Sequence, residues 1–361
     1  ARVAVVPAYQ GRVMTSTVGG RNDPSFGWLN YDLIAQGILS PEEEKGRTEE
    51  HIYVFGGEER FWMGPEGGQF AIFFKPGSQF DLDHWFTPAA IDTEPFELAS
   101  RTADEAAFTR NFSLENFSGT NFEIGVRRNI KVLTADEIAA KLDVGVPEGV
   151  RFVGYETDNR LSNRGQEKWT QKSGLLSVWI LGMYKHGEKI TTVIPFNKGD
   201  LGPKVNDSYV GKVPPAKLVV GDGVAYFSGD GTTRAKIGVS ARRSKGIAGS
   251  YDAAAGVLNI VTYNTAGVDK PYVNSMWEMQ DDPFGGDVIN SYNDGPPEPG
   301  AKPLGPFYEL ETSSPGAELA PGETLRHVSR TYHFQGDEGD LDQLAVKLLG
   351  VPVSEIKKAL P

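Results

Sequence analysis

Two acidic residues two positions apart, Glu309 and Glu311, lie in the segment Phe307-Tyr308-Glu309-Leu310-Glu311-Thr312-Ser313, whose composition predicts a β-strand. Residues i and i+2 leave a strand from one face, with α-carbons about 6.6 Å apart at a rise near 3.3 Å per residue. Carboxylates sharing a surface repel, which raises the proton affinity of one of them unless a cation lies beside the pair, and Arg326 or Arg330 of the following segment would be that cation. One glutamate then suits a general base and the other an anchor. A solvated acidic strand face is the competing reading of the same pattern.

Arg60, Trp62 and Glu66 fall in the glycine-rich stretch Gly56 to Gln69, read as a loop, where backbone and ligand can approach closely. Arginine and glutamate hydrogen-bond hydroxyl groups and an indole covers the apolar face of a pyranose, so the set fits a sugar cradle; Trp62 as core and Arg60 paired with Glu58 or Glu59 fits equally. Asn290, Tyr292, Asn293 and Asp294 run from a strand into a Gly-Pro turn, a composition that suits ligand contacts and turn formation alike. Trp277 and Asn274 would point to opposite faces of a predicted strand, and Trp179 between Val178 and Ile180 reads as core. His84, in Asp81-Leu82-Asp83-His84-Trp85, is the histidine best surrounded for proton donation near neutral pH, against the plainer reading of a surface histidine. His327 and His333 share a face of the closing strand and would reach the glutamates if those two strands pair. The histidines show no HExxH spacing, and Asp281, Asp282 and Asp287 match no calcium loop, so no metal is expected.

The wider composition limits what such residues can serve. A net charge of −12 argues against nucleic acid and favours a neutral or cationic ligand. The absence of cysteine removes disulfides, thiolate metal sites and cysteine nucleophiles. No polybasic run, long apolar span or leader pattern is visible, so no membrane span is expected; the opening Ala1-Arg2-Val3 is compatible with a processed end and leaves a periplasmic or secreted location open.

The 43 glycines and 23 prolines are scattered without a period, which suits many strands joined by tight turns. Strands are predicted at Gly11 to Val18, Leu175 to Tyr184, Thr191 to Phe196, Val257 to Tyr263, Tyr272 to Met279, Asp287 to Tyr292, Phe307 to Ser313 and Thr324 to Phe334. Hairpins are predicted over Phe108 to Leu133 and Lys217 to Phe227, with a charged, solvated excursion at 41–50. Thr134-Ala135-Asp136-Glu137 is a capping box for a short helix ending near Leu142, and helices at Leu341 to Leu349 and Ser354 to Leu360 form a tail packed on the edge or outside. The expected fold class is mainly β: a large antiparallel sandwich with a few short helices, in one domain over 1–361 whose segment 340–361 is the helical tail.

Asp287 to Pro296 and Phe307 to Pro315, followed by Leu319-Ala320-Pro321-Gly322-Glu323, resemble an uncharacterised family of bacterial, often exported proteins in the galactose-mutarotase-like superfamily. Arg60 to Gln69 and Trp179 to Met183 are similar to earlier signatures of that family, so the likeness spans nearly the whole chain. The order of strand glutamate, Leu-x-Pro-Gly-Glu turn and closing strand is also similar to sugar-1-epimerases and hexose-phosphate mutarotases. That resemblance implies a supersandwich fold in which Glu309 or Glu311 takes the anomeric hydroxyl proton while a histidine protonates the ring oxygen. The chain departs from the pattern in lacking the His-Gly-Gly and Asn-His motifs that supply the acid and ligand contacts. The resulting expectation is a carbohydrate-binding or carbohydrate-active protein, epimerase-like, with Glu309, Glu311 and His84 as catalytic candidates. Arg60, Trp62, Glu66, Asn290, Asn293, Asp294, Trp277 and Arg330 are the binding candidates, with a small-molecule sugar as partner and no cofactor. A non-catalytic sugar-binding module, or a hydrolase or lyase setting Glu66 opposite Glu309, stays open.

Overall fold

A computed structural model describes residues 1–20, 23–37, 52, 55–298 and 300–361. The charged segment 41–50 and His51 lie outside the described residues. Two antiparallel sheets stack on one another. The smaller has seven strands, in spatial order β1 (Arg2–Val6), β2 (Arg12–Thr17), β3 (Glu59–Gly64), β8 (Ser177–Lys185), β16 (Phe307–Ser313), β15 (Asp287–Asn293) and β12 (Ala235–Ser240). The larger has ten, in order β10 (Leu218–Val220), β11 (Val224–Ser228), β9 (Ile190–Pro195), β13 (Ile247–Asp252), β14 (Val257–Tyr263), β17 (Thr324–Gln335), β7 (Arg151–Asn163), β6 (Asn121–Val132), β5 (Glu105–Glu115) and β4 (Glu97–Arg101). The expected mainly β sandwich is borne out.

Local sequence explains much of this. The predicted hairpin is β5–β6, in register from Glu105 opposite Lys131 to Glu115 opposite Asn121. The capping box forms at helix Ala135–Leu142: the Glu137 N–H donates to Thr134 Oγ1 at 3.3 Å, and the Thr134 N–H donates to Glu137 Oε2 at 2.9 Å. Thr134→Ala removes one half of this reciprocal pair, and a loss of about 1 kcal/mol is expected by urea denaturation. No helix among the described residues is long and apolar enough to cross a membrane.

Three expectations change, and a fourth, the position of the tail, is made specific. Residues 59–64 are the strand β3: Gly56 and Gly57, at φ 95° and 94°, turn the chain, and the following Glu-Arg-Phe-Trp-Met run then alternates. Tyr272 to Met279 is a loop with one isolated bridge, Tyr272 to Gly285, because the Gln280 side chain takes the carbonyls of Asn274 and Met276 while Asn274 donates to the Asp282 carbonyl. The closing strand β17 does not lie beside the glutamate strand; β16 is flanked by β8 and β15, while β17 sits between β14 and β7 in the other sheet. The tail helices, Glu338–Leu349 and Val353–Ile356, cover the outer face of the ten-stranded sheet, burying Leu341, Leu344 and Ile356 in one cluster with Leu258, Ile260 and Phe334.

The space between the sheets holds ion pairs as well as apolar side chains. Glu59 Oε1 accepts from Arg128 Nη2 at 2.7 Å, and the same guanidinium donates to Asn159 Oδ1 at 2.7 Å and the Gly11 carbonyl at 3.1 Å. His333 bridges Glu58 (2.8 Å) and Asn259 (2.6 Å), under the stacked ring of Phe26. These contacts fix one face of the seven-stranded sheet and leave its other face to form a floor.

Candidate functional site

The floor belongs to a cavity of about 340 Å³ on the outer face of the seven-stranded sheet. Pleating decides which residues reach it. Arg60 lies opposite Leu181, Leu181 opposite Glu311, and Glu311 opposite Asn290; one step along, Met183, Glu309, Tyr292 and Lys236 form a second cross-sheet row. The intervening residues Tyr308, Leu310 and Thr312 turn to the other sheet, where Thr312 Oγ1 meets His327 Nε2 at 2.9 Å.

Each floor glutamate holds a cation. Arg60 Nη2 donates to Glu309 Oε1 at 2.9 Å, and Lys236 Nζ donates to Glu311 Oε2 at 2.8 Å. Glu311 Oε2 also accepts from Trp179 Nε1 at 2.9 Å. The cations lie over aromatic rings: Arg60 Cζ is 4.5 Å from the Trp62 ring centre, and Lys236 Nζ is 4.7 Å from Trp179 and 5.4 Å from Tyr209. Among the described residues Arg60 Nε and Nη1, Glu311 Oε1 and the indole N–H groups of Trp62 and Trp85 are buried without a hydrogen-bond partner. Burying such groups unpaired is costly, so their convergence on one cavity points to a polar ligand.

Burial pushes the Glu309 carboxyl up to about 7; the Glu311 charge adds to this, while Arg60 and Lys236 pull the other way. Glu66 follows Gly64-Pro65 at the end of β3, its N–H held by Ser275 Oγ at 3.1 Å, and burial likewise raises its carboxyl against the pull of Lys236. Burial works against the Lys236 charge, but Glu311 and Glu66 outweigh it and the ammonium is held more firmly than usual. At the far end Tyr292 donates to Asp294 Oδ1 at 2.7 Å and accepts from Arg234 Nε at 3.3 Å, which orients the guanidinium along the wall.

Of the residues expected from sequence, Glu309, Glu311, Arg60, Trp62, Glu66, Trp277 and Asp294 line this one cavity. Asn290 donates to the Ile237 carbonyl at 3.2 Å and lines a small adjoining chamber with Asp287, whose carboxyl burial pushes up to about 6. Asn293 points to the opposite face and ties down the Asp230 to Thr233 turn. His84 lies outside the lining, exposed and held by Asp81 Oδ1 at 2.6 Å, although its neighbours Leu82 and Trp85 line the wall. Arg330 and Arg326 pair with Glu156 and Asp158 on the ten-stranded sheet and stand beside neither glutamate, because β17 joined that sheet. His327 is buried and its proton affinity falls to about 3, so it stays neutral. Among the described residues no group of three or more His, Asp or Glu is placed to hold a metal ion.

The structure adds Trp179, Trp85, Tyr209, Arg234 and Lys236 to the wall. Trp179, read as core from its apolar neighbours, is buried yet faces the cavity. Lys236 carried a signal: in Ala-Lys-Ile-Gly-Val a lysine sits out of phase with Ile237 and Val239, which marks a strand whose second face is not apolar.

Residues 1–360 match a family described as "Family of unknown function (DUF6786)". No match was found among curated proteins. Solved structures similar to this chain include the Slr1438 protein from Synechocystis sp., with 14% identity and a TM-score of 0.51 over 93% of this chain and 92% of that one. They also include a galactose mutarotase-like protein from Lactobacillus casei (9% identity, TM-score 0.47, covering 92% and 96%) and a putative aldose 1-epimerase from Escherichia coli (11%, 0.42, covering 77% and 84%). At 14% identity the likeness to the Slr1438 protein is one of fold.

Proposed function

The chain belongs to the DUF6786 family, whose description assigns no activity, and from the chemistry of its own cavity we propose that it binds a carbohydrate and interconverts its anomers. The observation that carries this reading is Glu309: a buried carboxyl on the cavity floor, poised near 7, flanked by Arg60 and within the field of Lys236. A base of that affinity is well matched to a hydroxyl proton at neutral pH. The indoles of Trp62, Trp85, Trp179 and Trp277 give the cavity apolar surface suited to the C–H groups of a pyranose, and the two glutamate–cation pairs offer donors and acceptors to adjacent hydroxyls.

In this reading Glu309 takes the proton of the anomeric hydroxyl, and its electron pair forms the C1 carbonyl as the bond from C1 to the ring oxygen breaks. Lys236 gives a proton to that oxygen, because the developing alkoxide is more basic than the ammonium. Rotation about C1–C2 and the reverse transfers close the other anomer and restore both groups. Lys236 thus occupies the donor role that the family resemblance gives to a histidine, and Arg60 orients both Glu309 and the sugar.

Exchange NMR on a panel of D-aldoses tests this. An anomer-exchange rate well above the buffer rate is expected, rising as pH passes through about 7 because the reactive form of Glu309 is the carboxylate. Saturable binding without faster exchange at any pH would leave a sugar-binding module, and no binding of any aldose would remove the carbohydrate reading itself.

A further inference from the structure

Among the described residues, part of the lip above the charged floor is aliphatic. Leu82, Val210 and Leu304, respectively 43%, 37% and 38% exposed, line the same cavity as Glu309 while facing water. They come from three separate places in the chain: the 3-10 turn Leu82–His84, the loop that follows the Asn206 bridge to Gly238, and the connection from β15 to β16. Deeper in, Phe55 and Phe307 continue the apolar surface toward the floor. Among the described residues, the charged groups on the outer part are Arg234, tied to Tyr292, and the exposed Lys302.

We propose that the ligand is amphipathic: an aldose whose reducing end meets Glu309 and whose distal hydroxyl carries an acyl or alkyl chain lying across Leu82, Val210 and Leu304. This rests on the carbohydrate reading above and adds the class of substituent. Two arguments favour it over an unmodified hexose. Hydroxyls of a bare sugar that lay against Leu82, Val210 and Leu304, rather than Arg234 or Lys302, would meet aliphatic groups that cannot hydrogen-bond, so their desolvation there would go uncompensated. A chain placed there instead removes from water both its own surface and that of three side chains, a gain of about fourfold in affinity for each methylene fully covered. The volume, about 340 Å³, lies in the range of sites that enclose drug-sized ligands and exceeds the needs of one pyranose ring.

The chain end must leave the reducing end free, so the probes are 6-O-acetyl and 6-O-octanoyl esters of D-glucose and D-galactose, used below their aggregation concentrations with intrinsic tryptophan fluorescence as readout. The octanoyl ester is expected to bind at least tenfold more tightly than the acetyl ester of the same sugar. In Leu82→Asn and Leu304→Asn, substitutions at exposed positions, that ratio is expected to fall at least threefold. Equal affinity of the two esters, or an octanoyl gain unchanged in both variants, overturns the amphipathic ligand and leaves the carbohydrate reading standing. Failure of every ester and every free aldose to bind removes the carbohydrate reading as well.

Discussion

Glu309→Gln is expected to slow anomer exchange by about a hundredfold or more while changing sugar affinity only a few fold. The amide keeps an oxygen for Arg60 Nη2, which the carboxylate now accepts from at 2.9 Å, so the local geometry has a neutral substitute. It cannot accept a proton from a hydroxyl, and general-base contributions of 10²–10⁴ are typical of such a loss. The pH profile sharpens the test: the rise through about 7 should disappear in the variant, since the group that titrates there is gone. A variant that keeps both the rate and its pH dependence would assign the base elsewhere, Glu66 and Asp294 being further carboxyls on the wall that burial raises. Paired measurements of binding and exchange distinguish this from a simple loss of the site, because a collapsed cavity would lose both together.

The largest stability effect is expected away from the cavity, at Arg128→Met. Arg128 and Glu59 are essentially inaccessible to water, and the guanidinium also satisfies Asn159 and the Gly11 carbonyl. Removing one partner leaves a carboxylate in the interior, for which a loss of about 3–5 kcal/mol is typical. Burial already raises the proton affinity of Glu59 despite Arg128. A carboxyl raised on folding contributes stability that is complete below its unfolded value and is lost as pH rises through the folded one. Without Arg128 the raised value moves further up, so urea denaturation should find a larger deficit near pH 8 than near pH 5. Adding Glu59→Leu should recover much of the loss, since replacing both members by apolar groups is far cheaper than stranding one. A deficit independent of pH, and not relieved by the second substitution, would mean that packing volume rather than charge set the cost.

What the sequence made legible, and what it did not, follows from the range of the interactions involved. The capping box of Thr134 and Glu137, the β5–β6 hairpin, β14 and β16 are recorded in neighbouring residues, and each forms where local pattern puts it. The shared face of Glu309 and Glu311 is a two-residue fact and is equally readable. Sheet membership is not local: nothing in Thr324 to Gln335 states that the strand joins β7 and β14 rather than β16, and Arg330 stands away from the glutamates for that reason. Local pattern also misleads in opposite directions, the glycines before β3 hiding a strand and the run Tyr272 to Met279 suggesting one where the Gln280 and Asn274 side chains take backbone carbonyls instead. Trp179 shows a further limit, because a residue facing a walled cavity and one facing the core are both buried and both have apolar neighbours. Lys236 is hard to find from sequence because β12 is a short strand whose alternation is interrupted by Gly238.

Alternate positions along β3, β8 and β16 answer to different neighbours: Arg60, Trp62, Trp179, Glu309 and Glu311 look outward, while Glu59, Tyr308, Leu310 and Thr312 hold the two layers together. Such a division lets mutation redraw chemistry on one side while the scaffold is conserved on the other, so lineages sharing the architecture can diverge in selectivity through substitution alone. Losing a single codon inside β16 has the contrary effect. It exchanges the roles of every residue beyond the gap, sending acidic groups into the seam and greasy ones into the hollow, and the innovation that point changes permit is closed to length changes in these strands.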